Sequence, residues 1–423
     1  MHVSRLRVSG VRGFYGDRAV DLDLTRPDGS LAGWTVLAGR NASGKSTLLQ
    51  ALALAMAGPR STAFLPSPAD WMSSRALQGE IIADLQMSGE YEPQLFAPEA
   101  ELHFRRPGFS DEDEPDFSGS GIGVSDIGCF YAGYGPFRHL GGTVSRRGAK
   151  SSKLAQQVAS LFDETIPLAE AVDWLIEQHL FQLEGRAGAA DLLNLMMDLL
   201  SDGLLPDGFE VRRIDSSGLW VRNNGTEFPL REMSDGYRSV TALVTDIVRQ
   251  MWSAYRGLAL SWQGDTPVLD YPGVVLIDEI DAHLHVSWQK KIGIWLKKHF
   301  PQIQFIVTTH SPYICQSADP GGLISLPGPR ENRPPKVVDE DLYNRVVYGS
   351  GDDAILTELF GVDTPYSPEA EKLRERLGDL EVKIADGDAS AEEKDEYHSL
   401  SKTLTSSLSA RTVEVAEYLR RIE

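Results

Sequence analysis

One contiguous stretch constrains this chain more than any other. Gly39-Arg40-Asn41-Ala42-Ser43-Gly44-Lys45-Ser46 fits the pattern G-x-x-x-x-G-K-[ST] in full. Its flanks agree with it. Trp34-Thr35-Val36-Leu37-Ala38 reads as a buried strand, and Leu48 to Met56, rich in Leu and Ala, reads as the helix that follows. Strand, glycine loop and helix together begin an α/β module. The glycines let backbone N–H groups turn inward at a helix N-terminus, where anions are favoured. Lys45 is placed to reach the β- and γ-phosphates of a nucleotide, and the Ser46 hydroxyl to bind Mg²⁺.

A phosphate loop by itself implies binding, not hydrolysis. Val274-Val275-Leu276-Ile277-Asp278-Glu279 is an apolar strand that ends in two carboxylates. Asp278 suits Mg²⁺ through its water shell, while Glu279 is placed to polarise an attacking water. Ile306-Val307-Thr308-Thr309-His310-Ser311-Pro312 is a further buried strand, ending in a histidine. If it neighbours the Asp278 strand, His310 becomes a sensor of the γ-phosphate rather than a structural imidazole.

Elsewhere the pattern is mixed. Arg5 to Val8 and Ala19 to Leu24 alternate like two half-exposed strands, and Glu80 to Met87 and Glu101 to Arg105 add two more. Ser110 to Asp116, acidic and followed by Gly119, Gly121 and Gly123, reads as a mobile surface loop. Residues 152–203 carry helical spacing through Leu175, Leu180 and Leu183, then Leu192, Leu195, Met196 and Leu199. Phe209 to Ile214 and Leu219 to Val221 return to strands, with a turn at Asn223-Asn224-Gly225. Ser234 to Trp252 and Leu284 to Phe300 read as helices. The Gly- and Pro-rich stretch Pro327 to Pro335 reads as the end of the α/β core. Beyond it, Ser367-Pro368-Glu369 starts one helix, with Leu373, Leu377, Leu380 and Ile384 on one face. Ser390 and Glu393 form a capping box for the next. No internal repeat is visible.

Composition removes whole classes. With 42% hydrophobic and 24% charged residues over 423 positions, the chain is a packed globular protein that needs no staples. The 41 Lys and Arg against 61 Asp and Glu give a formal charge of -20, which argues against indiscriminate coating of nucleic acid or anionic membrane. The two cysteines, Cys129 and Cys315, lack a paired spacing and fit a reducing, cytoplasmic setting. The N-terminus shows no signal peptide, and the apolar runs are too short to span a bilayer.

Taken together, the motifs resemble the ABC-type ATPase head shared by the RecF, SMC and OLD families. In that resemblance Met233-Ser234-Asp235-Gly236-Tyr237 stands where those families carry their signature motif. It implies a homodimer or higher homo-oligomer, in which Ser234 and Gly236 contact the γ-phosphate held by the phosphate loop of a second subunit. Ile280-Asp281-Ala282-His283-Leu284-His285 resembles the dimer-interface loop, His310 the switch histidine, and Arg12-Gly13-Phe14 the N-terminal turn near the base. Two departures stand out. Asp235 replaces the first glycine of the commoner signature, and Val286 stands where related chains often have proline. Neither removes a ligand. The implied ligand set is Gly39 to Ser46 with Thr47, Arg12, Ser234 and Gly236 for ATP, and Ser46 with Asp278 for Mg²⁺. Glu279 and His310 are the candidate catalytic residues.

The interval from Thr47 to Ser234 lacks a sustained heptad, so no long coiled-coil arm is expected. Asp339-Glu340-Asp341 has part of a Toprim pattern, but no Glu-Gly strand end precedes it, so no nuclease site is expected in the chain. Tyr348 to Gly361 and the helices after it resemble the tail of defence-associated ATPases, most closely the Septu ATPases of the PtuA family. That resemblance implies anti-phage defence and a separately encoded HNH nuclease partner, PtuB in that family. The alternative is a RecF-like repair or recombination clamp that binds DNA without a nuclease.

Three patches have ordinary readings beside functional ones. Asp281, His283 and His285 suggest a metal, yet show no fourth ligand and fit an interface loop better. Lys290-Lys291 and Lys297-Lys298 read as a solvated helix face. Arg146, Arg147, Lys150 and Lys153, beside Tyr134-Gly135-Pro136-Phe137-Arg138, form the best basic and aromatic cluster for DNA. The expected fold is therefore α/β, a P-loop ABC-type ATPase head with an inserted helical region and a helical C-terminal extension. Residues 1–150 and 206–330 form the two parts of the head, 151–205 the insert and 331–423 the extension.

Overall fold

The computed structural model describes all residues except 60–70, 88–97, 106–115, 123–129, 139–156, 167 and 405–423. The acidic stretch up to Pro115, Cys129, the basic residues Arg146, Arg147, Lys150 and Lys153, and the expected boundary between 150 and 151 lie outside the described residues. The chain divides into two compact units, Met1–Tyr343 and Asn344–Glu423.

In the first unit, β1 (His2–Ser9) and β2 (Val20–Asp23) pair antiparallel, with Leu6 opposite Leu22. β3 (Gly33–Ala38) then runs into the glycine loop and helix α1 (Lys45–Ala57). β4 (Gln78–Gln86), β5 (Glu99–Arg105) and β6 (Asp116–Ser120) complete a five-stranded antiparallel sheet in the order β2-β1-β4-β5-β6. Gly119, expected in a loop, is instead paired with Leu102 inside β6. Its φ is +143°, and a Cβ there would lie 2.1 Å from the Glu101 carbonyl, so glycine serves close strand approach rather than mobility.

β7 (Tyr131–Tyr134) enters a second sheet. Within the expected insert lie α2 (Ala169–Leu183) and α3 (Ala189–Ser201), and past its expected end at 205 come β8 (Glu210–Asp215), β9 (Gly218–Asn223) and β10 (Thr226–Pro229). Asn224 and Gly225 join β9 to β10 with φ of +50° and +82°, the two-residue turn that matches strand twist. α2 buries Leu175 but carries Leu180 and Leu183 into solvent. In α3, by contrast, Leu192, Leu195, Met196 and Leu199 are all buried.

α4 (Asp235–Tyr255) leads through the hairpin β11 (Ser261–Gln263) and β12 (Thr266–Val268) to the wholly buried β13 (Gly273–Ile277). The single helix expected over 284–300 is two, α5 (Val286–Gln289) and α6 (Ile292–His299). Between them the Lys291 N–H bonds to the Trp288 carbonyl, three residues back, a tighter step that breaks the α-helical ladder. β14 (Ile303–Thr308), α7 (Pro312–Cys315), β15 (Leu323–Ser325) and β16 (Lys336–Val337) complete the unit.

The second sheet has the order β16-β15-β3-β14-β13-β7, parallel except for the edge strand β16. Its core is shared with the antiparallel sheet, and α1 is packed between them. That explains why α1 is apolar nearly all round, with Leu48, Leu49, Leu52, Leu54 and Met56 all buried. The unit also extends past the expected end of the core at 330. Arg18 donates to the carbonyls of Gly328 at 2.7 Å and Glu331 at 2.5 Å, so the Gly- and Pro-rich stretch is pinned before β16 rejoins the sheet.

The second unit begins within α8 (Glu340–Val347) and continues through α9 (Gly351–Ile355). It then forms a hairpin of α10 (Pro368–Asp386) and α11 (Ala391–Thr403). Ser367 caps α10, and Ser390 with Glu393 forms the expected capping box of α11. Leu377 and Leu380 are buried, and Arg376 holds Glu396 with two N–H donors at 3.1 and 2.7 Å across the hairpin.

Candidate functional site

The glycine loop lies at the C-terminal end of a central parallel strand, where α/β sheets place their ligands. Gly44, with φ +95°, immediately precedes α1, and Ala42 also has a positive φ of +61°. A Cβ at Gly44 would stand 2.7 Å from the Phe14 ring, so the N-terminal turn seals the back of the loop. Gly39 is buried, whereas Arg40, Asn41 and Ala42 are exposed. Lys45 is buried and donates to the carbonyls of Gly39 at 2.8 Å and Arg40 at 3.2 Å. Burial pulls its ammonium below the ordinary lysine value, and the charges of Asp278, Glu279 and Asp281 oppose that shift. Among the described residues, the buried Ser43 hydroxyl has no hydrogen-bond partner.

β14 lies between β3 and β13, which brings three sequence-distant strand ends together. Ser46 Oγ donates to Asp278 Oδ1 at 3.1 Å, and Thr308 Oγ1 donates to the same oxygen at 2.5 Å. Thr308 Oγ1 in turn accepts from the Glu279 N–H at 2.7 Å. Glu279 adopts φ +45°, an uncommon conformation for a residue with a side chain that costs about 1–3 kcal/mol and persists only where its surroundings hold it.

On the next turn, Asp281 Oδ1 accepts from Thr309 Oγ1 at 2.5 Å and from the His310 N–H at 3.4 Å. His310 stands at the rim of this group. Partial desolvation, and then the Lys45 charge, lower its imidazole pKa below the ordinary histidine value. Arg12 lies over the Trp71 ring at 4.2 Å, with its guanidinium 3.4 Å from Thr47 Oγ1.

Ser234 and Gly236 make no hydrogen bond to the glycine loop among the described residues. Ser234 precedes α4, is exposed, and makes no side-chain capping bond. Gly236 is pressed against the loop after Glu279, where a Cβ would meet the His283 carbonyl at 2.5 Å. Asp235, the departure from the commoner signature, is exposed and pairs with Arg238 at 3.2 Å.

Sequence reasoning missed three participants. Thr308 and Thr309 were legible only as two hydroxyls following the apolar run Phe305-Ile306-Val307. Arg138, grouped by sequence with a surface basic cluster, is buried beneath the Asp278–Ala282 backbone. The lysines of the two helix pairs and the loop histidine make local contacts. Lys297 reaches Asp319 at 2.5 Å, Lys298 reaches Asp202 at 2.8 Å, and Lys290 lies over the Tyr313 ring. His285 Nδ1 accepts from the Ser287 N–H at 3.3 Å. No group of three or more His, Cys, Asp or Glu suited to a metal occurs among the described residues. Cys315 is buried, which pushes its thiol far above the ordinary value. Among the described residues, no helix is long and apolar enough to cross a membrane.

Comparison with known proteins adds relatives to this geometry. The Septu protein PtuA of Bacillus mycoides (strain KBAB4) is 29% identical over 301 residues, 71% of this chain and 37% of that protein. The Septu protein PtuA of Bacillus thuringiensis is 29% identical over 206 residues, 46% of this chain and 49% of its own length. The "Retron Ec83 probable ATPase" of Escherichia coli is 40% identical over 120 residues, 28% of this chain and 21% of that protein. The chain thus spans between about a fifth and a half of the length of these relatives. Among solved structures, an SMC head bound to the C-terminal winged-helix domain of ScpA matches 80% of this chain and 98% of its own, at 17% identity and a TM-score of 0.46.

The model of the AAA_21 family, described as "AAA domain, putative AbiEii toxin, Type IV TA system", matches residues 34–316. That span exceeds half of the 423 residues and holds the glycine loop, Asp278, Glu279 and His310, so the chain belongs to the AAA_21 family and is related to the Septu PtuA proteins.

Proposed function

We propose that this protein binds and hydrolyses ATP between two copies of itself and, by doing so, controls a separately encoded nuclease in anti-phage defence. The observation that carries the reading is the meeting of Lys45, Ser46, Asp278, Glu279 and Thr308 at adjacent strand ends, with Ser234 left exposed elsewhere. Lys45 would hold the β- and γ-phosphates, helped by the inward backbone N–H groups from Gly39 to Thr47. The orphaned Ser43 hydroxyl is a further donor facing that loop.

Ser46 Oγ and Asp278 Oδ1 are hard oxygen donors that already share a hydrogen bond, a donor set that suits Mg²⁺. When bound, Mg²⁺ supplies charge neutralisation between the phosphate oxygens. Glu279 orients and deprotonates the attacking water, and His310 reads the γ-phosphate. Arg12, beside Thr47, flanks the loop on the side of the nucleotide base. Ser234 and Gly236 of one copy close over the γ-phosphate held by the other. A half-site that faces outward calls for this second copy.

The nuclease partner and the defence setting rest on the Septu and retron relatives. The test uses tagged Glu279→Gln protein with ATP and Mg²⁺ in its native host. The expected result is a dimer or larger assembly in solution that carries a stoichiometric nuclease. Recombination proteins or DNA without a nuclease would replace the defence reading with the repair clamp.

A further inference from the structure

We infer that Arg138 is a positioning residue: its buried guanidinium sets the Asp278–Ala282 backbone so that Glu279 faces the reaction, and its own carbonyl ties that loop to helix α4. The inference rests on the role proposed for Glu279.

Three features of the geometry carry it. First, the guanidinium is committed almost wholly to one loop. Nη1 donates to the carbonyls of Gly135 at 3.1 Å and Asp278 at 3.0 Å. Nη2 donates to those of Glu279 at 3.0 Å, Ile280 at 3.3 Å and Ala282 at 3.4 Å. Four carbonyls within five residues converge on one side chain, which is how a fork of fixed N–H directions shapes a backbone turn. Second, the turn needs holding. Glu279 sits at φ +45° and His283 at +65°, both uncommon for residues with side chains. Third, the clamp is connected. Ser239 Oγ on α4 donates to the Arg138 carbonyl at 3.2 Å, three residues beyond Gly236, which is itself pressed on the His283 carbonyl. The loop is therefore held by Arg138 on one side and by the start of α4 on another. A shift of α4 when Ser234 engages a ligand reaches Glu279 through both contacts.

The charge is also accounted for. Burial brings the Arg138 guanidinium down to about 10, and the nearby Asp281, Asp278 and Glu279 resist the shift, so it stays cationic at neutral pH. No carboxylate accepts its hydrogen bonds among the described residues; the loop carbonyls do. It acts through backbone geometry and does not touch the substrate.

The test compares wild type, Arg138→Met, Arg138→Lys, Glu279→Gln and the double variant Arg138→Met/Glu279→Gln. Equilibrium binding of a fluorescent ATP analogue and steady-state hydrolysis are measured, with melting curves to check folding. Arg138→Met is expected to keep nucleotide affinity within about threefold and to lose about 100-fold in kcat, the scale of an ångström-sized misplacement. Arg138→Lys, one donor group in place of a fork, should recover part of that loss at unchanged affinity. The double variant should turn over no more slowly than Glu279→Gln, because Arg138 acts only through Glu279.

A folded Arg138→Met with wild-type kcat overturns the inference. So does an equal loss of affinity and kcat, or an additive double variant. If Arg138→Met fails to fold, Arg138→Lys decides: a lowered kcat at wild-type affinity supports the role, and wild-type kcat sinks it. Wild-type turnover by Glu279→Gln would instead remove the underlying reading of Glu279, an outcome that does not depend on Arg138.

Discussion

Two helices of this protein begin without a side-chain cap and sit in opposite surroundings. α1 starts from Gly44 with Lys45 buried and bonded to Gly39 and Arg40, and with Ser46 tied to Asp278. α4 starts from Ser234, exposed, with no capping bond from its side chain and with Asp235 also in solvent. Both N-termini present free backbone N–H groups and a dipole that favours an anion. Only the first is surrounded by the charged and hydroxyl groups that phosphate chemistry needs. The difference teaches that the first helix start is enclosed by its own chain's side chains, whereas the second is left open to solvent.

The comparison can be broken from either side. The largest effect is expected at the enclosed start. Glu279→Gln should bind ATP normally while its turnover falls about 10²- to 10⁴-fold, the range for loss of a general base. Turnover equal to wild type would remove Glu279 from the chemistry. Lys45→Ala is expected to weaken ATP binding by about 100-fold, since a buried ammonium–phosphate contact is charge-assisted. Calorimetric titration that returned the wild-type dissociation constant would show that the loop is not the phosphate site.

The open start is tested by mixing. Ser234→Arg and Lys45→Ala should each be inactive alone, yet an equal mixture should recover roughly a quarter of wild-type ATPase activity. Half of the dimers are then mixed, and each mixed dimer has one intact site of two. Without any recovery, the two helix starts do not meet across subunits.

The smallest effect concerns pH. His310 is held below the ordinary histidine value, so it stays neutral until the medium is more acidic than 6.5 and gains a proton only below that. The acid limb of kcat should lie under pH 6.5 and disappear in His310→Ala. A limb at or above 6.5 in the pH–rate profile would contradict the desolvated setting described for His310.

The readable parts of the site were those whose residues lie next to one another in the chain. The spacing of Gly39, Gly44 and Lys45 sets a backbone path within one turn, and the apolar run before Asp278 places that carboxylate at a strand end whatever the rest does. Asn224-Gly225 announced its turn because positive φ is a property of those residues themselves. The helix starts at Ser367 and Ser390 were legible for the same reason, as each cap closes within three residues. The burial of Arg138 was not legible: basic residues near aromatic ones look alike on a surface and beneath a loop. Gly119 misled in the same way, since a glycine that permits a loop also permits two strands to touch.

By itself, then, the sequence determined the glycine loop, the two carboxylates that follow β13, the histidine after β14 and the caps of the tail helices. Each is encoded within a handful of neighbouring residues, where steric and hydrogen-bonding preferences act directly. Only the tertiary structure decided that β14 separates β3 from β13, and hence that Thr308 bonds both Asp278 and Glu279. It alone placed Arg138 under a loop some 140 positions further along the chain. It also set α1 between two sheets, while the start of α4 stayed open to solvent. Strand order and burial arise from packing the whole chain, and no local pattern of residues specifies which distant groups that packing will bring within hydrogen-bond reach.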